Sequence, residues 1–188
     1  MANKAFSNLV LDDGTKVYTQ EYIQSLRDAD KKHPDKLKIV AQRGGQEDML
    51  AIDADIKICG GSRGGSKSFS SLMEVLKDIK NPDFHAVILR NEKDDLQSLV
   101  TDSYKLFSQF GTYNKSQNDM TWNFDNGGWL KFSYYAGAYQ DFKTRFQGRQ
   151  FAYICIDEGT QCPHKKFKYP QTNNRNAAHI RNRFWITC

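Results

Sequence analysis

The sequence predicts an α/β fold with three layers and a mostly parallel central sheet. Three core strands are predicted, at residues 55–59, 85–90 and 151–156, and a segment with helical spacing separates the first two. The last of these strands is an apolar run without alternation of polar and apolar residues, which is typical of a parallel strand buried on both faces. A glycine-rich turn joins the first strand to that helix, at the sheet edge where folds of this class bind ligands.

The glycine-rich turn has the composition of a phosphate-binding loop. Glycines let consecutive backbone N–H groups surround an anion, and the helix that follows adds the positive end of its dipole. In such a loop Lys67 contacts the β- and γ-phosphates of a nucleoside triphosphate, and the Ser68 hydroxyl coordinates Mg²⁺. The residues assigned to the nucleotide here are Gly61, Ser62, Arg63, Gly64, Gly65, Ser66, Lys67 and Ser68.

The loop departs from the common pattern G-x-x-x-x-G-K-[ST] at one position, because Ser66 stands where a second glycine is usual. Gly61 still has the expected spacing from Lys67 and Ser68. The alternative interpretation is a surface turn rich in glycine and serine, followed by an ordinary helix. A second motif is needed to decide between the two.

Two carboxylates directly follow the third apolar strand. Asp157 and Glu158 come after residues 151–156, and burying carboxylates at a strand end is costly unless they bind something. Beside a phosphate-binding loop, Asp157 would hold Mg²⁺ through its water shell, and Glu158 would orient and deprotonate the attacking water. The alternative is a strand that ends in a polar turn. Together the two motifs predict a P-loop ATPase of the RecA-like, additional-strand type with its own catalytic glutamate.

Length, hydropathy and cysteine spacing narrow the class of protein. The 188 residues are enough for one domain with a real core. Because the sequence has neither a segment apolar enough to span a bilayer nor a recognisable signal peptide, we expect an intracellular protein with no membrane partner. The four cysteines have no C-x-x-C spacing, which argues against zinc and against a disulfide framework. Cys59 and Cys155 are expected to be buried thiols.

The positive charge is concentrated in the last quarter of the chain. The net charge is +5, and residues 143–188 contain nine Lys or Arg residues but only two acidic ones. This distribution favours a polyanionic partner such as nucleic acid. The alternative is a solvated, lysine-rich helix surface.

Two regions are predicted along the chain. Residues 1–37 are expected to form an N-terminal arm, and residues 38–188 the P-loop domain. Four helices are predicted, and the third has apolar residues at helical spacing and ends at Asn81-Pro82. These predicted helices cover residues 20–32, 47–51, 66–79 and 91–110.

A β-hairpin insertion is predicted before the carboxylate-bearing strand. Residues 120–124 and 129–135 read as strands, and the Asp125-Asn126-Gly127-Gly128 segment between them is a strong turn signal. Residues 143–150 are predicted to be a basic loop. An irregular basic stretch is expected after Gly159, and residues 184–188 are expected to begin a further strand.

With both motifs in place, the chain resembles the ATPase half of the large terminase subunit of tailed double-stranded DNA phages. The resemblance is carried by residues 60–68, 154–158 and 185–188, and it covers residues 40–188. Terminases of this family tolerate Ser in place of the last loop glycine, so Ser66 fits the family. The resemblance implies ATP and Mg²⁺ as cofactors.

Further site residues follow from the resemblance. The family has a glutamine that reads the adenine edge, and Gln46 resembles it more closely than Gln42 does. A glutamine amide suits adenine because it both donates and accepts, although a polar helix cap is the alternative. Arg90 resembles the family's arginine near the nucleotide or the DNA path, and the alternative is a surface arginine at a strand end.

The family also uses an arginine that reaches the γ-phosphate of a neighbouring subunit. The family's Arg-Gly pair corresponds to Gln147-Gly148 here, so Arg149 or Arg145 is the candidate substitute. Arg63 within the loop is another candidate for stabilising charge, with solvent exposure as its alternative. Thr187-Cys188 resembles the first half of the family's coupling motif, which assigns Thr187 to the nucleotide site. The chain is therefore expected to be a fragment without the family's nuclease domain.

The implied function is ATP hydrolysis that drives packaging of viral double-stranded DNA into procapsids. The implied partners are double-stranded DNA, a homo-oligomeric ring, a portal protein and a small terminase subunit, all in the host cytoplasm. Two alternatives remain open. One is a helicase-like or other nucleic-acid-dependent P-loop ATPase, and the other is a nucleotide-binding fragment that does not hydrolyse.

Overall fold

The computed structural model describes residues 41–42, 44–61, 67–114, 116, 119–176 and 180–188. The chain divides into two compact units, residues 1–53 and 54–188. The described part of the first unit contains helix α1 (Gly45–Ala51). The predicted arm, its helix at residues 20–32 and the boundary after residue 37 lie outside the described residues, so they stay predictions.

The second unit is built on a seven-stranded, mostly parallel sheet. The spatial order is β1-β7-β6-β2-β5-β4-β3. The first five strands in this order pair in parallel, and the β5-β4 and β4-β3 pairs are antiparallel. The predicted fold class and the predicted hairpin at residues 120–135 are both confirmed. The strands are β1 (Ile56–Cys59), β2 (His85–Arg90), β3 (Gly111–Asn114), β4 (Thr121–Phe124), β5 (Trp129–Tyr134), β6 (Tyr153–Ile156) and β7 (Arg183–Thr187).

Helices cover both faces of this sheet. On one face, α4 (Tyr139–Phe146) and α5 (His164–Gln171) pack against a core cluster that includes Ile154 and Phe184. On the other face lie α2 (Lys67–Val75) and α3 (Leu96–Phe107). The Tyr153 hydroxyl donates to the Ser71 carbonyl oxygen at 3.0 Å, and the Trp122 indole donates to Ser103 Oγ at 2.8 Å. These two bonds tie the sheet to α2 and α3, and they complete the three layers.

Two predicted loops are helices in the structure. Residues 143–150 were expected to be a basic loop, but α4 extends to Phe146, since Phe142 and Phe146 are four residues apart and both face the core. The stretch after Gly159 was expected to be irregular, but it contains a short 3₁₀ helix (Gly159–Gln161) and then α5. Its basic residues and Pro170 leave no clear helical pattern of apolar residues, so the helix is recognised only from its packing against the sheet.

A third difference lies at the far sheet edge. The helix predicted at residues 91–110 begins at Leu96 and ends at Phe107, and β3 follows it. This strand has no apolar run of its own. It forms by pairing with β4 at the sheet edge, which the sequence does not reveal. Across the described residues, the structure has no helix with the length and apolar character needed to cross a membrane.

Candidate functional site

The glycine-rich turn leaves β1 at the carboxyl edge of the sheet. Gly61 has a φ of +133°, in the region that favours glycine. The predicted nucleotide-binding residues Ser62, Arg63, Gly64, Gly65 and Ser66 lie outside the described residues. Helix α2 begins at Lys67, and the Lys67 Nζ donates to the Gly61 carbonyl oxygen at 2.9 Å.

Asp157 is the centre of the site. It follows β6 at the carboxyl edge and is fully buried. Its Oδ1 accepts a hydrogen bond from Ser68 Oγ at 3.0 Å and another from the Thr187 hydroxyl. The structure thus brings together three residues that the sequence assigned to the nucleotide and its metal.

Arg90 supplies the positive charge beside this carboxylate. It ends β2, the strand next to β6, and its Nε donates to Asp157 Oδ2 at 2.7 Å. Its Nη2 donates to Ser68 Oγ at 3.1 Å. The side chain is only 12% exposed, which rules out the alternative of a solvated surface arginine.

Glu158 leaves the strand in an unusual backbone conformation. Its φ is +57°, and among the described non-glycine residues it alone has a positive φ. That conformation costs on the order of 1 kcal/mol for a residue with a Cβ. Two hydrogen bonds hold it: the Glu158 N–H donates to Thr187 Oγ1 at 3.1 Å, and the Tyr135 hydroxyl donates to the Glu158 carbonyl oxygen at 3.2 Å. The Glu158 side chain is exposed at the sheet edge.

The turn after Glu158 has little space for a larger residue. A Cβ built on Gly159 would lie 2.5 Å from Ile186 Cγ2. Burial raises the pKa of Tyr135 well above its ordinary value, so its hydroxyl stays protonated as the donor to Glu158. The backbone that carries Glu158 is therefore set by the packing of β7 and Tyr135.

The two candidate arginines lie in different surroundings. Arg145 on α4 donates from Nη2 to the Tyr134 carbonyl oxygen at 2.9 Å, and its guanidinium lies 4.1 Å from the centre of the Tyr134 ring. Arg149 is exposed. It precedes β6 at the amino edge of the sheet, since the nearby Ala152 N–H donates to the carbonyl oxygen of His85, where β2 begins. Arg149 therefore lies at the edge opposite Asp157.

Gln46 lies in α1, in the other unit of the chain. Its side chain is buried, and its Oε1 accepts a hydrogen bond from the Gln42 N–H at 2.8 Å. This contact is consistent with the alternative of a polar helix cap, as far as the amide oxygen is concerned. Its role toward adenine stays a prediction.

The oxygen ligands at the site suit magnesium. A hydroxyl and a carboxylate are hard ligands of the kind Mg²⁺ prefers, and this ion commonly binds to one or two carboxylates together with substrate phosphates. Ser68 and Asp157 provide such a pair. The described residues contain no cluster of three or more His, Cys, Asp or Glu side chains that would hold a metal without such phosphates.

Two residues beside Glu158 were not predicted from the sequence. Tyr135 contacts its carbonyl oxygen, and Gln161 Nε2 lies 3.5 Å from its Oε2. Tyr135 directly follows β5, so the shared carboxyl edge of parallel strands could have indicated it. Gln161 belongs to the unpredicted 3₁₀ helix, and no sequence signal points to it.

Comparison with known protein families gives a match. The sequence profile of the family described as terminase large subunit, T4likevirus-type, N-terminal, matches residues 58–188. No curated protein sequence matches the chain.

Solved structures of phage terminases share the fold. The large terminase of a thermophilic bacteriophage is similar with a TM-score of 0.59 and 17% identity, over 77% of this chain and 38% of that one. The same phage protein in complex with ADP gives a TM-score of 0.52 and 16% identity, over 74% and 34% of the two chains. A mutant ATPase domain of the Thermus phage P74-26 large terminase gives 0.57 and 11%, over 90% and 68%.

At these identities the likeness shows a shared fold, and the chain spans well under two thirds of the first of these proteins. The family profile is stronger evidence, because it matches well over half of the chain and includes the end of β1, the site residues on α2, the two carboxylates after β6, and β7. The chain therefore belongs to the family of T4likevirus-type terminase large subunits and corresponds to their N-terminal region.

Proposed function

We propose that this chain binds ATP with Mg²⁺ and hydrolyses it as the ATPase part of a DNA-packaging motor. The observation that carries the proposal is the 3.0 Å contact between Ser68 Oγ and Asp157 Oδ1. It joins the end of the phosphate-binding loop to the carboxylate strand, which is the arrangement that ATP hydrolysis by P-loop enzymes needs.

The residues of the loop and of α2 would bind the triphosphate. Backbone N–H groups of residues 61–66 would surround the phosphates, and Lys67 would neutralise the β- and γ-phosphates. Ser68 and Asp157 would hold Mg²⁺, which offsets the charge that develops on the phosphate oxygens during transfer.

Glu158 would act as the general base. Its exposed carboxylate follows the buried Asp157, and its backbone is held by Thr187 and Tyr135. A carboxylate fixed in this way can orient a water molecule and accept its proton. Thr187 would belong to the nucleotide site through its contacts with both acidic residues.

Arg149 is the better candidate for action on a neighbouring subunit. Arg145 is already bound to the Tyr134 carbonyl oxygen and ring, whereas Arg149 is exposed. Arg149 lies at the edge opposite its own Asp157, so its target would be the site of another subunit. Arg63 would add charge within the loop, and Gln46 would read adenine through its amide.

Double-stranded DNA is the proposed substrate of the motor. Family membership and the basic segment at residues 143–188 support this proposal. A homo-oligomeric ring, a portal protein and a small terminase subunit would complete the motor, and the host cytoplasm is its proposed location.

The test combines nucleotide binding with phosphate release. Glu158→Gln is expected to bind a fluorescent ATP analogue like the wild type but to lose hydrolysis at least a hundredfold, since the base is gone. Lys67→Ala is expected to lose binding. Glu92→Gln, at an exposed glutamate that follows β2, is the matched control. Normal turnover by Glu158→Gln would overturn its role as base.

DNA separates the packaging proposal from its rivals. Phosphate release should rise with double-stranded DNA, and it should rise further with a portal partner present. Stimulation by single-stranded nucleic acid alone would favour the helicase-like alternative. Nucleotide binding without phosphate release under any of these conditions would favour the non-hydrolysing fragment.

A further inference from the structure

Arg90 contacts both residues proposed to hold the metal. Its Nε donates to Asp157 Oδ2 at 2.7 Å, and its Nη2 donates to Ser68 Oγ at 3.1 Å. The Ser68 hydroxyl hydrogen is directed to Asp157 Oδ1, so Arg90 approaches the Ser68 oxygen through a lone pair. One guanidinium thus engages a carboxylate oxygen and the lone pair of a hydroxyl that Mg²⁺ would also use.

The other side of the guanidinium is anchored at the start of α3. Its Nη1 donates to the Asp95 carbonyl oxygen at 2.7 Å and to Ser98 Oγ at 3.1 Å. The planar fork of an arginine can make these bonds together with those to Asp157 and Ser68, whereas a lysine ammonium cannot span both sides. Arg90 is therefore held in place rather than free to turn into solvent.

Burial makes this ion pair hard to replace. The Asp157 side chain is 1% exposed and that of Arg90 is 12% exposed, so the carboxylate depends on a nearby cation. Mg²⁺ loses its water shell reluctantly and usually binds to one or two carboxylates only when substrate phosphates also contribute. Free Mg²⁺ would have to compete with a cation that is already bound and dehydrated.

We propose that Arg90 is a positioning residue that keeps Asp157 and Ser68 closed to free Mg²⁺, so that the metal enters together with the nucleotide. The triphosphate brings several negative charges, which offset the repulsion between Mg²⁺ and the guanidinium. This inference rests on the proposed function, since Ser68 and Asp157 must be the metal ligands.

The experiment measures thermal unfolding during a titration with Mg²⁺ alone, without nucleotide. Wild type is expected to show almost no change in its midpoint. Arg90→Gln is expected to unfold at a lower temperature without metal, and Mg²⁺ should then raise its midpoint by about 3 °C or more. A structural role alone would lower the midpoint but would create no response to Mg²⁺.

Three further variants define the cause. Arg90→Gln combined with Asp157→Asn should lose the response, because the carboxylate is gone. Arg90→Lys keeps the charge and should respond between wild type and Arg90→Gln. Arg175→Gln removes an exposed arginine and should behave as wild type.

A wild-type protein that responds to Mg²⁺ as strongly as Arg90→Gln would overturn the inference. If Arg90→Gln does not fold, the test rests on Arg90→Lys. A midpoint shift with Mg²⁺ that is the same for Arg90→Lys as for wild type then contradicts the inference. Because the titration contains no nucleotide, its failure is separate from that of the proposed function, which fails when wild type binds no ATP.

Discussion

At the scale of single residues, the Thr187 hydroxyl joins the two acidic residues of the site. It donates to Asp157 Oδ1 and accepts from the Glu158 N–H at 3.1 Å. Thr187 is buried at the end of β7. One hydroxyl therefore uses its single hydrogen for the residue proposed to hold the metal and a lone pair for the residue proposed as base. This gives β7 a direct part in the geometry of both.

Thr187→Val tests this bridge, because valine keeps the shape and removes the hydroxyl. The Glu158 N–H would lose its partner, and the expected cost is about 1–3 kcal/mol of unfolding free energy. ATP turnover should fall by about tenfold to a hundredfold, since Glu158 would no longer be held in position. Chemical denaturation and phosphate release measure the two effects. Thr187→Ser keeps the hydroxyl, and a Ser variant as impaired as the Val variant would argue against the bridge.

At the scale of elements, a buried group of charges connects β1, α2 and β7. Glu74 on α2 is fully buried and lies 3.6 Å from Lys57 Nζ and 2.8 Å from Arg183 Nε, measured to its Oε1. Lys77 Nζ lies 2.7 Å from its Oε2, and Arg183 also pairs with Asp78. In this group cations outnumber carboxylates. Strand β1 leads to the phosphate loop, α2 carries Ser68 and β7 carries Thr187. One group of ion pairs therefore links the three elements that form the site.

The shifted pKa of Lys57 in this group predicts a dependence of stability on pH. Burial lowers the pKa of Lys57 to about 8, against the partial compensation from Glu74. Between about pH 8 and pH 10.5 the unfolded chain then holds more of this proton than the folded chain, so the contribution of Lys57 to stability rises with pH in that window. The expected rise is on the order of 3 kcal/mol.

The measurement compares wild type with Lys57→Met across this window. Raised pKa values of Cys155 and Cys162 act in the opposite direction, but they are common to both proteins and cancel in the difference. The pKa of Cys59 is also raised, and Lys57 opposes that shift, so loss of the lysine would raise it further and increase the same difference. The difference in unfolding free energy, wild type minus variant, should increase with pH. Lys105→Met, at an exposed ion pair, should show no such trend. A flat difference for Lys57→Met would contradict the prediction.

At the scale of the whole molecule, part of the basic segment is used in contacts within the chain. Of the nine cations in residues 143–188, four make such contacts. Lys166 Nζ donates to two backbone carbonyl oxygens, Arg183 and Arg181 form ion pairs, and Arg145 binds Tyr134. The charge that remains for a polyanionic partner is therefore smaller than the sequence suggests, and exposed residues such as Arg149 carry it.

Arg149 should act on a neighbouring subunit, and mixing two inactive variants tests this. Lys67→Ala lacks a working phosphate site but keeps Arg149, whereas Arg149→Ala keeps the site. Each alone should lose DNA-stimulated turnover by about a thousandfold. An equimolar mixture should regain activity, because roughly a quarter of the interfaces in a mixed ring pair an intact site with an intact arginine. A mixture as inactive as its components would refute action between subunits, and Arg175→Ala is the control for an exposed arginine.

Local signals predicted most of the elements near the site. The apolar runs of β2 and β6, the hairpin turn at residues 125–128 and the glycine-rich turn each depend on neighbours in sequence, so a short window is enough to recognise them. The segments α4, α5 and β3 were missed for the opposite reason. Their structure depends on packing against the sheet or on pairing with β4, and their own residues are polar, basic or too few.

The chemical groups of the site can be identified without a structure, because Lys67, Ser68, Asp157 and Glu158 stand in short motifs that a few neighbouring residues define. Which of these groups contact one another depends on the fold. Asp157 binds Ser68 at a separation of 89 residues, Arg90 at 67 and Thr187 at 30. Those contacts follow from the strand order β1-β7-β6-β2, which places four carboxyl ends side by side. No local pattern encodes that order, because it results from how the apolar strands and helices pack around a common core.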